Sequence, residues 1–276
     1  MLDTSIYLWY SNIKGCGSMN RLNTYIDLGI SKINKPYSKV LISAILSGVF
    51  LSFASIAMMI LSSHITNPSI AKLLSGLVFP IGLILIIMFK TELFTGNILL
   101  IIPLIDKKIK LKQMLINLLL VYLGNYLGTL LIALLITYTP LATTYQDTIF
   151  KIASNKLIIP FQEALTLGIM CNILVVSAVY LSTTSKDDTS KIILAYLPIF
   201  IFVVIGLEHS VANMYHLNIS YLLKILKVLP SKTNIDIITL QNIFTKNLLP
   251  VTIGNIIGGL LISLSIYYLN KNNSNK

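Results

Sequence analysis

The sequence is short of charge. Only 11% of its 276 residues are Asp, Glu, Lys or Arg, against about 25% in soluble globular domains. With 55% hydrophobic residues and a mean hydropathy of +0.81, it reads as a polytopic membrane protein. Acids are scarcer than bases, 10 against 21. In a membrane protein that excess points to topology and anionic lipid headgroups rather than to nucleic acid. Two cysteines, Cys16 and Cys171, are too few for a disulfide framework. No metal-ligand cluster, cofactor motif or paired nucleophile is apparent, so neither a metal nor a cofactor is expected. No compact apolar core leads to a small-residue cleavage site, so a cleavable leader is not expected either. Abundant Ile, Asn and Lys suggest an AT-rich bacterial genome.

What the chain does have is two polar interruptions inside apolar segments. The run Ile192 to Leu207 meets Glu208 and His209, then resumes within the stretch Gly206-Leu207-Glu208-His209-Ser210-Val211-Ala212-Asn213-Met214. Earlier, Leu73 to Phe89 meets Lys90, Thr91 and Glu92 within Glu92-Leu93-Phe94-Thr95-Gly96-Asn97. Ionisable groups are expensive in hydrocarbon, so each interruption marks a functional candidate. Irregular backbone at that depth survives only where protein or a cavity covers it, which makes each interruption a broken helix. Each has a glycine-flanked Asn downstream, Gly124-Asn125-Tyr126-Leu127-Gly128 and Gly254-Asn255-Ile256-Ile257-Gly258. The chain thus reads as two related halves.

Taken in order, residues 1–39 form a tail followed, from Met19 (a candidate true start), by a basic amphipathic helix lying on the membrane surface. Residues 40–269 form the transmembrane domain, and 270–276 a cytoplasmic tail. Six spans are expected: Val40–Ser62, Leu73–Phe89 with its continuation to Ile102, Gln113–Thr137, Phe161–Ser182, Ile192–Leu207 with Met214–Leu226, and Ile243–Leu269. Each full span can cross roughly 30 Å of hydrocarbon. Small residues Ser43, Ser47, Gly48, Ser52, Ala54 and Ser55 mark a face of the first span that packs on protein. Pro140 to Pro160 and Lys227 to Thr239 read as loops. The fold class is all-α: six transmembrane helices as a 3+3 inverted repeat with two broken helices, since an odd number per repeat inverts the second half. Lysines 32, 35, 39, 107, 108, 110, 112, 186, 191 and 271 fall on one side, which predicts cytoplasmic termini in a bacterial inner membrane.

With both breaks and both glycine motifs in view, the chain resembles the formate/nitrite transporter family over roughly Met19 to Leu269. The resemblance rests on Glu92-Leu93-Phe94-Thr95, Tyr122-Leu123-Gly124-Asn125, Glu163-Ala164 with Gly168 and Asn172, Gly206 to Met214, and Asn247 to Gly259. It implies an aquaporin-like protomer, a homopentamer, and passage of a small monovalent anion such as formate, nitrite or hydrosulfide (acetate and lactate lie within the same reading) with proton coupling. It places Thr95 opposite His209, puts Asn172, Asn255 and Lys156 on the substrate pathway, and makes Phe79, Leu83, Leu93, Val175 and Phe202 the apolar constrictions. The sequence departs at Lys90, where the family usually has Gly.

Each residue also has a plainer reading. His209, free to titrate near neutral pH, either shares a proton with the anion or is bonded to backbone. Glu92 and Glu208 are expected to accept from the free N–H groups of the next half-helix, with Asn97 and Asn213 finishing the breaks. Asn125 and Asn255 pack helices or donate to the pathway. The constriction residues are core packing if taken singly. Lys156 either draws anions in or is a solvated lysine. Lys90 either attracts anions or reaches to a polar surface. A membrane enzyme using Glu208 and His209 lacks supporting chemistry, and a neutral-solute pore lacks the paired Asn-Pro-Ala breaks.

Overall fold

The computed structural model describes residues 21–230 and 235–271. The expectations for residues 1–18, for Met19 as the start and for the tail beyond 271 lie outside the described residues. Among the described residues every regular element is helical. Helix α1 covers residues 21–33. Leu22, Tyr25 and Ile26 on it are buried, the Tyr25 ring is 5.9 Å from that of Tyr180, and a Cβ at Gly29 would meet Pro103 Cγ at 2.7 Å. The amphipathic helix is present, but protein rather than lipid covers its apolar face.

Helix α2 (Tyr37–Ser62) is the first span. The second is α3 (Pro68–Val78) continued by α4 (Pro80–Met88). It starts at Pro68 rather than at the expected Leu73. The Asn67 side chain accepts from the N–H groups of Ser69 and Ile70, and Pro68 sits where no N–H is needed. Pro80 likewise opens α4. After the first break come α5 (Phe94–Asn97), a 3₁₀ turn (Ile98–Leu100) and α6 (Ile101–Ile105). Helix α7 (Leu111–Thr137) is the third span.

The stretch expected to be a loop before Pro160 instead holds α8 (Pro140–Thr144) and α9 (Gln146–Ile158). Helix α9 buries Ile149, Phe150, Ala153 and Leu157, one face at helical spacing, and leaves its polar residues on the other. Helices α10 (Phe161–Thr183) and α11 (Asp188–Ile205) follow, then the second break and α12 (Ser210–Ile225). The last span is α13 (Leu240–Asn242), a π-helical turn (Ile243–Leu248) and α14 (Leu249–Lys271). Among the described residues six helices, counting α3 with α4 and α13 with α14, are long and apolar enough to cross a membrane.

Two helix pairs frame the molecule. Lipid supplies no hydrophobic drive between helices, so close backbone approach must hold them. In α2 and α7, a Cβ at Gly128 would meet the Ile45 carbonyl oxygen at 2.1 Å, and one at Gly48 would meet that of Asn125 at 2.3 Å. In α10 and α14, a Cβ at Gly258 would meet the Ile169 oxygen at 2.1 Å, and one at Gly254 that of Leu165 at 2.2 Å. The small face of α2 is where it was expected: Ser47, Ser52, Ala54 and Ser55 are buried. On the outer side Leu115, Leu119, Leu123, Leu127 and Leu131 of α7 stay exposed and form an apolar stripe. Asp106, after α6, accepts from Tyr267 Oη at 3.1 Å and Lys271 Nζ at 2.9 Å. Burial pushes its carboxyl up, but these bonds prevail and hold it below the usual carboxylate range.

Candidate functional site

The two breaks meet at the centre of the chain's polar residues. Thr95 lies in the first turn of α5, and His209 immediately precedes α12. Thr95 Oγ1 and His209 Nε2 are 2.9 Å apart, and both residues are buried. His209 Nδ1 accepts from the Ala212 N–H at 3.2 Å. A backbone N–H can only donate, so Nδ1 carries no hydrogen and the neutral ring holds its hydrogen on Nε2. That N–H points at the Thr95 oxygen. His209 therefore caps α12 with one nitrogen and presents a donor with the other. The plainer reading, a ring bonded to backbone, describes what Nδ1 does.

Each break is held by an asparagine from the opposite span of its half. Asn125 Oδ1 accepts from the Phe94 N–H at 2.9 Å, while its Nδ2 donates to the carbonyls of Ala44 (2.8 Å) and Glu92 (3.0 Å). Asn255 Oδ1 accepts from the Ser210 N–H at 2.9 Å, and its Nδ2 donates to those of Gly168 (2.9 Å) and Glu208 (3.0 Å). Both carboxamides are committed to backbone on either side of a break. Asn172 Nδ2 likewise donates to the carbonyls of Thr95 (3.3 Å) and Asn255 (2.6 Å), while its Oδ1 is buried with no partner among the described residues.

The glutamates differ from expectation. Neither carboxylate accepts from a backbone N–H of the next half-helix; the asparagines and His209 have taken that work. Glu92 accepts from Lys32 Nζ at 2.5 Å, Lys35 Nζ at 2.7 Å and Asn97 Nδ2 at 2.9 Å. Glu208 accepts from Lys156 Nζ at 2.8 Å and Asn213 Nδ2 at 2.6 Å. A buried carboxylate must be paired, and these lysines supply the charge. Asn97 and Asn213 each reach a further asparagine, Asn117 and Asn247, at 2.9 and 2.8 Å. From sequence, Lys32 and Lys35 counted only towards topology and Asn247 only towards the family resemblance, and Asn117 was not singled out. Lys156 is not a free vestibule cation, being bound to Glu208.

Two aromatic rings pack next to His209. The Phe79 and Phe202 rings meet edge to face at 5.6 Å, and the Phe202 ring lies over His209 at 6.2 Å. Leu83, Leu93 and Val175 are buried. Before each break the chain turns left-handed, with φ of 53° at Lys90 and 89° at Gly206. Lys90 is thus the first-half counterpart of a glycine, and its side chain is exposed. The other histidines stand apart from this arrangement: His64 packs on the Tyr145 ring at 6.0 Å, and His216 lies against Tyr215.

Among the described residues, six apolar spans surround two mutually bonded helix breaks, the arrangement of a membrane transport protein. The chain belongs to the formate/nitrite transporter family, whose sequence profile matches residues 20–269. It is 34% identical over 262 residues to the formate channel FocA of Escherichia coli K12, covering 89% of this chain and 92% of that protein. Among solved structures, it resembles one described as a pentameric formate channel with formate bound, with TM-score 0.74 and 29% identity over 86% of this chain and 98% of that one. A second, described as an FNT family ion channel, gives TM-score 0.79 and 27% identity, with 90% and 98% coverage.

Proposed function

We propose that the chain is one protomer of a homopentameric formate channel in a bacterial inner membrane, and that the anion crosses each protomer between the two breaks. The observation that carries this reading is the Thr95–His209 pair, two buried hydrogen-bonding side chains 2.9 Å apart, with the Phe202 ring 6.2 Å from that of His209 and Phe79 edge to face on Phe202. The relatives named as formate channels favour formate over nitrite or hydrosulfide.

The chemistry follows from the cost of charge. A unit charge in hydrocarbon costs several kcal/mol or more even after relaxation, where ~1.4 kcal/mol is already tenfold in occupancy. The N-terminal ends of two half-helices face the pair, and their aligned N–H dipoles favour an anion there. His209 Nε2–H turns from Thr95 to the anion, and the Thr95 hydroxyl donates its own hydrogen. A proton from solution accompanies the anion, because the neutral ring can release its Nε2 hydrogen only when Nδ1 gains one; formate then passes the apolar rings as the neutral acid. The apolar rings exclude hydrated ions that accept no proton. Asn172 Oδ1, buried beside Thr95 with a lone acceptor, suits the O–H of the protonated acid.

The two halves are read as inverted repeats, because the asparagine, glutamate and glycine contacts recur in each. The termini are placed in the cytoplasm, since the lysines of α1 and of the α10–α11 connection crowd one end. The test is purified protein in liposomes under a pH gradient, with formate, nitrite, hydrosulfide, acetate and lactate compared. Formate uptake that follows the gradient, by a particle of pentamer mass after correction for detergent, supports the reading. A monomeric particle, or no formate uptake, overturns it.

A further inference from the structure

At the α1 end a cavity of about 580 Å³ leads towards the first break. Four lysines line it: Lys32, Lys35, Lys90 and Lys191. Three have an acidic partner. Lys32 and Lys35 share Glu92, and Lys191 pairs with Asp188 at 2.8 Å. Lys90 has no salt bridge among the described residues, and its side chain is exposed. Four lysines against Glu92 and Asp188 leave the wall with two positive charges in excess, one of them from Lys90.

The backbone at Lys90 does not require lysine. Its φ of 53° is the left-handed conformation that glycine takes at no steric penalty, and Gly206 at the second break uses it with φ 89°. Lys107 and Lys227 share this conformation, with φ of 59° each, where a helix ends. Lys90 differs from them in opening onto the cavity beside Glu92. We infer that Lys90 is the anion-capturing residue of this vestibule: its ammonium holds a small oxyanion in the cavity before the anion reaches Thr95. A cleft of one charge sign raises the local concentration of the opposite ion, and the ammonium adds a hydrogen-bond donor to a carboxylate. This rests on the formate reading above, but its test can fail separately.

The variant Lys90→Gly suits the backbone, so loss of fold is not a confounder; Lys90→Arg keeps the charge. In liposomes, Lys90→Gly is expected to raise the half-saturating formate concentration about threefold to tenfold, an effect that shrinks as added salt screens the cavity. Lys90→Arg should stay close to the wild type. The second readout needs no transport: exchange broadening of the ¹³C-formate resonance by purified wild-type protein should weaken in Lys90→Gly and return in Lys90→Arg. If the wild type moves no formate, the transport reading fails while the broadening still decides on Lys90. If broadening and half-saturation are the same for wild type and Lys90→Gly, Lys90 captures nothing.

Discussion

Asn125 and Asn255 make the same three bonds at two different breaks. Each accepts the first N–H of a half-helix and donates to the carbonyl of the glutamate before it and to a carbonyl of the paired span. Each is a staple across a gap in the backbone. Replacing Asn255 with Leu strands the Ser210 N–H and the Glu208 carbonyl in a buried site. At about 1–3 kcal/mol for each stranded group, the loss is of order 3 kcal/mol or more. The expected outcome is a large drop in thermal stability, read by size-exclusion chromatography after heating. A variant as stable as the wild type but poor in transport would return Asn255 to the pathway.

His209 has two duties, and one substitution separates them. His209→Asn keeps an oxygen to cap the Ala212 N–H, since Asn is a good residue before a helix. It loses the titrating ring. The protein is expected to assemble and pass formate with a flattened pH profile, whereas His209→Ala loses the cap as well, at about 0.5–2 kcal/mol of stability. Stopped-flow uptake across a pH series checks this. A wild-type profile in both variants would make His209 structural.

The Lys156–Glu208 pair is partly screened at the lysine, 18% exposed, and buried at the glutamate, 6% exposed. Lys156→Met leaves a buried carboxylate unpaired and is expected to destabilise by about 3 kcal/mol. Adding Glu208→Gln should recover most of that loss, because the neutral amide still accepts from Asn213. A double-mutant cycle on melting temperature measures the coupling. Simple additivity of the two changes would show that the pair contributes no coupling.

Gly128→Ala and Gly258→Ala place a methyl carbon 2.1 Å from a backbone oxygen in equivalent helix pairs. Both variants are expected to yield little assembled protein, and to similar extents, as judged by recovery of the oligomer peak. Good recovery of either would mean that its helix pair can separate at little cost.

What the sequence revealed depended on distance along the chain. The six spans were legible because each is a continuous apolar run, and the breaks because charge inside such a run stands out. The asparagines were visible as residues but not as staples, since their partners lie 31 to 87 residues away. Lys32 and Lys35 sit 60 and 57 residues before Glu92, so nothing local tied them to it. A carboxylate buried at a break does demand a cation, however, and α1 offered two. Helix α9 was hidden by its polar residues, although Ile149, Phe150, Ala153 and Leu157 already carried a helical spacing. Lys156 looked like a lone cation because its partner belongs to another element.

The contact between glycines and carbonyls across α2 and α7, and again across α10 and α14, leaves no layer of side chains between the paired helices. At those positions their spacing is set by backbone against backbone, and it holds only while the glycines carry no side chain. An apolar substitution on the outward surface therefore leaves the distance between these walls unaltered. Two rigid clamps of this kind hold the breaks in register while the rest of the sequence is free to diverge.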